Sequence, residues 1–146
     1  MQWLNAEFTL TDDRSTLDVT YIHAFLTTSY WAQGVPLETV IRSLDNSLCF
    51  GLWHGGRQIG FGRAVTDRAT FAYLADVFID PDYRGRGLGK WLIACILAHP
   101  ELQGLRRWLL GTRDAHALYR KLGFVPLPKP EIFMEIRPEN VYGHKA

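Results

Sequence analysis

The chain has few cysteines, little net charge and no long apolar run, and each shortage excludes a class of protein. Its only cysteines, Cys49 and Cys95, lie in separate apolar stretches without CxxC spacing or histidines arranged as zinc ligands. We interpret them as buried thiols in a reducing compartment. Sixteen Lys and Arg residues against fifteen Asp and Glu residues leave a formal net charge of +1. This near-neutral charge argues against general nucleic-acid binding.

No apolar run approaches the ~20 residues of a membrane span, and the first residues lack the pattern of a secretory or transit peptide. What remains is the composition of a globular protein, with 47% hydrophobic and 21% charged residues and a mean hydropathy of −0.08. A chain of 146 residues fits one domain, so we predict a single domain over residues 1–146. We expect it to be cytoplasmic and to bind neither nucleic acid nor membrane, and a homodimer stays open.

Hydrophobic spacing predicts alternating strands and helices. An alternating stretch from Trp3 to Leu10 predicts one edge strand, and helical spacing predicts one helix from Asp18 and another from Pro36 to about Asn46. Two β-prone runs, 47–53 and 58–66, flank a Gly-Gly pair and predict a hairpin, which a third strand over 70–80 extends. The second half predicts a helix from Leu88 to about His99, a strand over 106–111, a helix capped by Asp114, and closing strands at 124–125 and 131–136.

The most informative segment is Arg84-Gly85-Arg86-Gly87-Leu88-Gly89-Lys90, between a predicted strand and a predicted helix. Its three glycines leave room for several backbone N–H groups to point at one anion, beside the positive end of the helix dipole. Arg84, Arg86 and Lys90 add positive charge for phosphate oxygens. The segment therefore predicts an oxyanion or phosphate cradle.

Two common phosphate-binding motifs do not fit this segment. A Walker A loop would need glycine where Arg84 stands, and serine or threonine where Trp91 stands. A GxGxxG fingerprint would put its third glycine at Lys90, and a preceding hairpin is the wrong beginning for a βαβ unit. The sequence therefore disfavours both a P-loop and dinucleotide binding.

A third pattern does fit. Residues 79–89 resemble the acyl-CoA signature of the GCN5-related N-acetyltransferases (GNAT), Arg/Gln-x-x-Gly-x-Gly/Ala after a hydrophobic strand and proline. Residues 117–124, Ala-Leu-Tyr-Arg-Lys-Leu-Gly-Phe, resemble the family's second signature, with Ala115 and Leu118 in register. The resemblance covers about residues 71–124, and the first half matches in its order of elements. It implies an α/β fold with a mixed, mostly antiparallel central sheet, flanked by helices and splayed between the cofactor strand and the next strand.

The resemblance also implies a function. The chain would be a single acyl-CoA N-acyltransferase domain that uses acetyl-CoA and no metal, and acetylates a primary amine of a small molecule or peptide by direct attack in a ternary complex. Tyr119 matches the family's acid for the departing thiolate, and Asp76 is a candidate base acting through water. Strand alternation would place Asp76 and Phe78 opposite Ala75, Val77 and Ile79. The cofactor contacts carried over by position are Val77, Phe78, Ile79, Arg84, Gly85, Arg86, Gly87, Leu88, Gly89 and Lys90, with a strand N–H near Phe78 as oxyanion donor.

The acceptor site is expected at the two early helices and their connection, where Ser29, Tyr30 and Trp31 cluster. Two departures from the family pattern keep other functions open. Thr112 stands where many relatives have asparagine, and Ala75-Asp76 where some have Glu-Asp. The first alternative is a noncatalytic acyl-CoA-binding or regulatory module, and a more distant one is a nucleotide or phosphoryl-transfer enzyme.

Overall fold

The computed structural model describes residues 1–143, so the last three residues of the predicted domain lie outside the described part. Within it, six strands form one sheet in chain order. Every neighbouring pair is antiparallel except the last, which is parallel. The predicted mixed, mostly antiparallel sheet is therefore confirmed. The strands are β1 (Gln2–Asn5), β2 (Phe8–Thr11), β3 (Leu48–His54), β4 (Arg57–Thr66), β5 (Phe71–Ile79) and β6 (Arg107–Leu109).

Helices cover both faces of this sheet. Because side chains alternate along a strand, Cys49 of β3 joins the apolar cluster under the first two helices, and its neighbour Phe50 joins the cluster under the third. Asp18 caps the first helix by accepting the Tyr21 N–H. Within residues 1–143 the α-helices are α1 (Val19–Leu26), α2 (Leu37–Asp45), α3 (Leu88–Leu97) and α4 (His116–Arg120), and none is long and apolar enough to cross a membrane.

Three predictions about local structure are wrong. The single edge strand is a hairpin of β1 and β2, because Ala6 turns the chain with a φ of +52°. Asp114 does not cap α4, which begins at His116, and the Ala115 N–H donates to Thr112 Oγ1 instead. The closing strands at 124–125 and 131–136 pair with no other strand of the described chain. Three prolines in this region remove backbone donors, and one of them starts a short 3₁₀ turn over Pro130–Ile132.

Candidate functional site

The strand β5 contains a bulge at the position of the candidate base. One residue of β4, Gly62, stands opposite two residues of β5, Asp76 and Val77. Asp76 has a φ of +55°, a left-handed conformation that few residues other than glycine adopt. The extra residue shifts the alternation, so Leu74 and Val77 join the same apolar cluster. The prediction of uninterrupted alternation is therefore wrong, and Ala75, next to Leu74, lies on the face opposite Val77.

Close to this bulge, β5 and β6 separate. Their parallel pairing covers three residue pairs and ends with Tyr73 opposite Leu109. Beyond that point residues 74–79 have no strand neighbour on this side among the described residues. Backbone groups on this edge of β5 can therefore bind a ligand, although the Ile79 carbonyl already accepts a hydrogen bond from Arg84 Nε at 3.1 Å.

A cavity of about 750 Å³ lies at this opening. Asp76 on β5, Tyr119 on α4, and Tyr30 and Trp31 from the connection after α1 all line it. Ser29 does not line it, because its buried hydroxyl donates to the Leu26 carbonyl and accepts the Ala32 N–H within the turn. The structure thus brings together the proposed acid, the proposed base and two of the three proposed acceptor-binding residues.

Two donors engage the Asp76 carboxylate. Arg63 Nε donates to Oδ2 at 2.9 Å, and Trp31 Nε1 donates to Oδ1 at 2.8 Å. Arg63 also donates through Nη1 to Ser47 Oγ. The Arg63 and Asp76 side chains are only 16% and 12% exposed, so they form a largely buried ion pair. This arrangement favours a positioning role for Asp76, which holds Trp31 and Arg63 at the cavity wall.

We expect Asp76→Ala to lower the free energy of unfolding by about 3 kcal/mol, because Arg63 would keep its buried charge without a counter-ion. A matched control is Glu101→Ala, which breaks the ion pair between Arg68 and Glu101, whose side chains are 47% and 53% exposed. That loss should stay below about 1 kcal/mol. Urea unfolding of both variants measures the difference, and equal losses would show that burial adds nothing to the Asp76 pair.

Tyr119 presents an uncommitted hydroxyl to the cavity. Its half-buried ring packs edge-on against Phe124, with 5.7 Å between ring centroids. Burial, with a smaller contribution from Tyr30, raises the pKa of the Tyr119 phenol to about 12. Among residues 1–143 its hydroxyl has no hydrogen-bond partner. The phenol is therefore protonated at neutral pH, and its proton is available to a ligand.

The cavity also has walls that the sequence did not indicate. The Arg113 guanidinium lies 3.9 Å from the centroid of the Tyr30 ring, and the Arg113 N–H donates to the Tyr30 hydroxyl. Trp31 packs edge-on against the same tyrosine at 5.0 Å. This contact ties the connection after α1 to the loop before α4, which lie far apart in the chain. No local sequence motif indicates the contacts of Tyr30 with Arg113 and Trp31. Other residues that line the cavity and that the sequence did not indicate are Ser43, Arg63, Glu135, Arg137 and Tyr142.

The glycine turn has the geometry of an anion cradle. Gly85 and Gly87 adopt φ values of +78° and +77°, and Gly87 is the N-cap of α3. A Cβ at either position would meet no heavy atom within 4 Å, so the turn is open. Within residues 1–143, the N–H groups of residues 85–90 find no backbone acceptor. Several donors at the start of α3 can therefore bind one anionic group, as a pyrophosphate requires.

Side chains around the cradle hold it in place. The Arg86 guanidinium lies 5.1 Å from the centroid of the Tyr83 ring, and Leu88 is buried in the core beneath α3. A Cβ on Gly89 would lie 3.7 Å from Ile79 Cγ1 and 3.9 Å from Leu118 Cδ2, so the turn adjoins both β5 and α4. The cradle thus lies beside the last residue of β5 and next to α4, the helix that carries Tyr119.

The remaining predicted cofactor residues differ in what they can offer. Phe78 is buried and stacks on Phe25 at 3.8 Å, and Val77 and Ile79 pack against the core under α3. These three residues can therefore offer mainly backbone groups to a ligand. Lys90 is exposed at the start of α3. Among residues 1–143 no group of three or more His, Cys, Asp or Glu side chains could hold a metal ion.

Comparisons with known proteins agree with this architecture. The model of the Acetyltransferase (GNAT) family matches residues 2–124. A protein of Gibberella zeae named as an acetyltransferase, FG08082, is 31% identical over an alignment of 142 residues. The match covers 82% of this chain and 79% of that protein. A crystal structure from Xanthomonas campestris pv. campestris, described as belonging to the GNAT family (xcc2953), has a TM-score of 0.90 and 46% identity. The match covers 94% of this chain and 97% of that one.

A GNAT family acetyltransferase from Elizabethkingia anophelis, solved with acetyl-CoA bound, has a TM-score of 0.64 and 14% identity, covering 83% of this chain and 78% of that one. At that identity the likeness shows a shared fold. The family uses acetyl-CoA, and the predicted fold class is confirmed. The family match over most of the chain, with the relatives from Gibberella and Xanthomonas, shows that this protein belongs to the GNAT family of acetyltransferases.

Proposed function

We propose that the protein is an N-acetyltransferase that moves an acetyl group from acetyl-CoA to a primary amine of a small molecule or a peptide, within a ternary complex. The observation that carries this proposal is the separation of β5 from β6 at a cavity lined by Tyr119, with an open anion cradle at the far end of β5. Bound there, acetyl-CoA would supply the activated acetyl thioester. We place the reaction in the cytoplasm, without nucleic acid or membrane, as the sequence predicts.

The chain offers a separate group for each part of the cofactor. The N–H groups of residues 85–90 would bind the pyrophosphate, and Arg86 and Lys90 would add positive charge for phosphate oxygens. Backbone groups between Val77 and Ile79 would bind the pantetheine arm. Arg84 has another task, because its contact with the Ile79 carbonyl ties the cradle to the end of β5.

The reaction forms a bond from the amine nitrogen to the carbonyl carbon and breaks the carbon–sulfur bond, so the amine loses a proton and the thiolate gains one. We assign to Tyr119 the interaction with the departing thiolate. A phenol with a pKa of about 12 is a weaker acid than a thiol, whose pKa is normally ~8.5, so complete proton transfer is uphill. We infer that the Tyr119 O–H contributes chiefly a hydrogen bond to the charge developing on sulfur, with solvent supplying the final proton.

On the amine side, we propose that Asp76 acts by positioning. Both of its oxygens already accept strong donors, so taking a proton would weaken the contacts that hold Trp31 and Arg63. The amine would lose its proton to water in the cavity, and Tyr30 and Trp31 would supply aromatic surface for its alkyl or aryl part. If Asp76→Asn lowered the maximal rate far more than its loss of folding stability explains, Asp76 would be identified as the base.

One observation favours the alternative of a noncatalytic acyl-CoA-binding or regulatory module. Thr112 stands where relatives place an amide for the pantetheine arm, and its hydroxyl is occupied by the Ala115 N–H. Such a module would bind the cofactor through the cradle and release no thiol with any amine.

Calorimetry with acetyl-CoA, CoA and ATP, followed by a thiol-release assay over a panel of alkyl, aryl and peptide amines, tests the proposal. We expect tight binding of both CoA species, weak binding of ATP, and thiol release with at least one class of amine. Cofactor binding without amine-dependent release across the panel would support the regulatory module. Tight ATP binding without CoA binding would overturn both.

A further inference from the structure

The Arg86 side chain, in the middle of the glycine turn, lies against an aromatic ring. Its guanidinium is over the ring of Tyr83, 5.1 Å from the ring centroid. Within residues 1–143 this guanidinium has no hydrogen bond or ion pair, whereas Arg84 already donates to the Ile79 carbonyl. The face of a ring attracts the positive charge without occupying the N–H donors, so these donors stay available to a ligand.

Two residues of the sheet fix the Tyr83 ring. His54 Nδ1, at the end of β3, lies 2.7 Å from the Tyr83 hydroxyl oxygen, within hydrogen-bonding distance. Phe8 packs edge-on against the same ring, with 6.1 Å between centroids, and contacts the His54 ring at 5.1 Å. Phe8 and His54 are direct partners in the pairing of β2 with β3. The hydrogen bond therefore fixes the hydroxyl, and the edge-on contact fixes the plane of the ring.

A different residue, Asp80, fixes the backbone that carries the ring. The Tyr83 N–H donates to the Asp80 carbonyl at 2.9 Å. The Asp80 carboxylate, with a side chain only 12% exposed, accepts hydrogen bonds from Arg57 Nη2 and the Tyr21 hydroxyl, both at 3.2 Å. Changes in the side chains of Tyr83 or His54 therefore leave this anchor of the turn in place.

We propose that Tyr83 and His54 are positioning residues for the cofactor, which hold the Arg86 guanidinium ready for a phosphate oxygen of acetyl-CoA. This role rests on the proposed function, which places the pyrophosphate at the same turn. An exposed arginine samples many rotamers in water, and ordering it during binding reduces the affinity. The Tyr83 ring orders it beforehand, so that loss is avoided. His54 takes part from a distance, because it lies 29 residues before Tyr83 in the chain.

Calorimetry with acetyl-CoA tests the ring through a double-mutant cycle of Tyr83 and Arg86. We expect Arg86→Gln to weaken binding about tenfold, because one charge-assisted contact is lost. Tyr83→Leu should weaken it about threefold to tenfold, because the guanidinium is no longer ordered. In the double variant the second replacement should add less than about twofold, since the ring acts through Arg86. Independent, multiplicative losses would show that Tyr83 acts by another route and would overturn its role.

Steady-state kinetics supply a readout that a purely structural role would not give. With a cognate amine, Tyr83→Leu should raise the KM for acetyl-CoA by the same factor and leave kcat unchanged. Melting curves confirm that the variant is folded. Wild-type affinity in a folded Tyr83→Leu protein overturns the positioning role alone, whereas a wild type that binds no acetyl-CoA overturns the proposed function as well.

The contribution of His54 is tested by two replacements and one control. His54→Ala removes the contact with the Tyr83 hydroxyl and should weaken acetyl-CoA binding about threefold. His54→Asn keeps a polar atom close to the position of Nδ1 and should recover most of the affinity. The control His23→Ala also removes one contact of a half-buried imidazole, between His23 Nε2 and the Val35 carbonyl at 2.9 Å, and should bind acetyl-CoA like wild type. Equal weakening in the two alanine variants, or no recovery with asparagine, overturns the role of His54.

Discussion

Replacing Gly87 with valine should abolish acetyl-CoA binding while the protein stays folded. Gly87 has a φ of +77° at the N-cap of α3, a conformation that a β-branched residue adopts only under strain. To relieve that strain the turn must change its path, which turns the N–H groups of residues 85–90 away from their common target. Calorimetry with acetyl-CoA measures the loss, which we expect to exceed about a hundredfold in affinity, since several charge-assisted hydrogen bonds disappear together.

Gly55→Val is the matched control for this experiment. Gly55 lies in the hairpin turn between β3 and β4 with a φ of +60°, and a Cβ there also meets no heavy atom within 4 Å. Valine should therefore cost a similar amount of stability at both sites, while only the Gly87 variant loses the cofactor. Wild-type affinity in a folded Gly87→Val protein would place the pyrophosphate site elsewhere.

The cradle could be predicted from sequence because its chemistry is local. The glycines, the arginines and the start of α3 follow one another in seven residues, so spacing alone shows what the backbone can bind. The helices α1, α2 and α3 could be predicted for the same reason, since their apolar faces repeat every three or four residues. The bulge could not, because it depends on Gly62 standing opposite two residues of another strand.

The acceptor cavity was predictable only in part. Tyr30 and Trp31 stand out as an aromatic cluster in a connection, but their partners Arg113 and Asp76 come from distant segments. Pairings of this kind arise from tertiary packing and leave no periodic signal. The predicted strand at 131–136 shows the opposite case. Its first residues form a 3₁₀ turn over Pro130–Ile132, and no strand of the described chain pairs with the rest of it. A pattern in one chain reports that a segment can pair, and not which partner it pairs with.

Tyr119→Phe should lower the maximal rate by about 10² to 10³, the usual effect of removing one donor from a developing negative charge. Cofactor affinity and stability should stay near wild type, because within residues 1–143 the hydroxyl has no hydrogen bond to lose. Tyr73→Phe is the control, since Tyr73 lines the same cavity at the end of the β5–β6 pairing. Its turnover should remain close to that of wild type.

The pH dependence of the wild-type rate adds a second readout for Tyr119. Burial favours the neutral phenol, so the raised pKa of about 12 keeps the donor present at all lower pH values and removes it only as the pH rises through 12. Tyr119 should therefore cause no alkaline loss of rate below about pH 11. The maximal rates of wild type and Tyr119→Phe should show the same pH dependence between pH 6 and about pH 10, with the variant slower by about 10² to 10³ throughout. Full turnover in Tyr119→Phe would remove the phenol from the mechanism, and solvent alone would then protonate the departing thiolate.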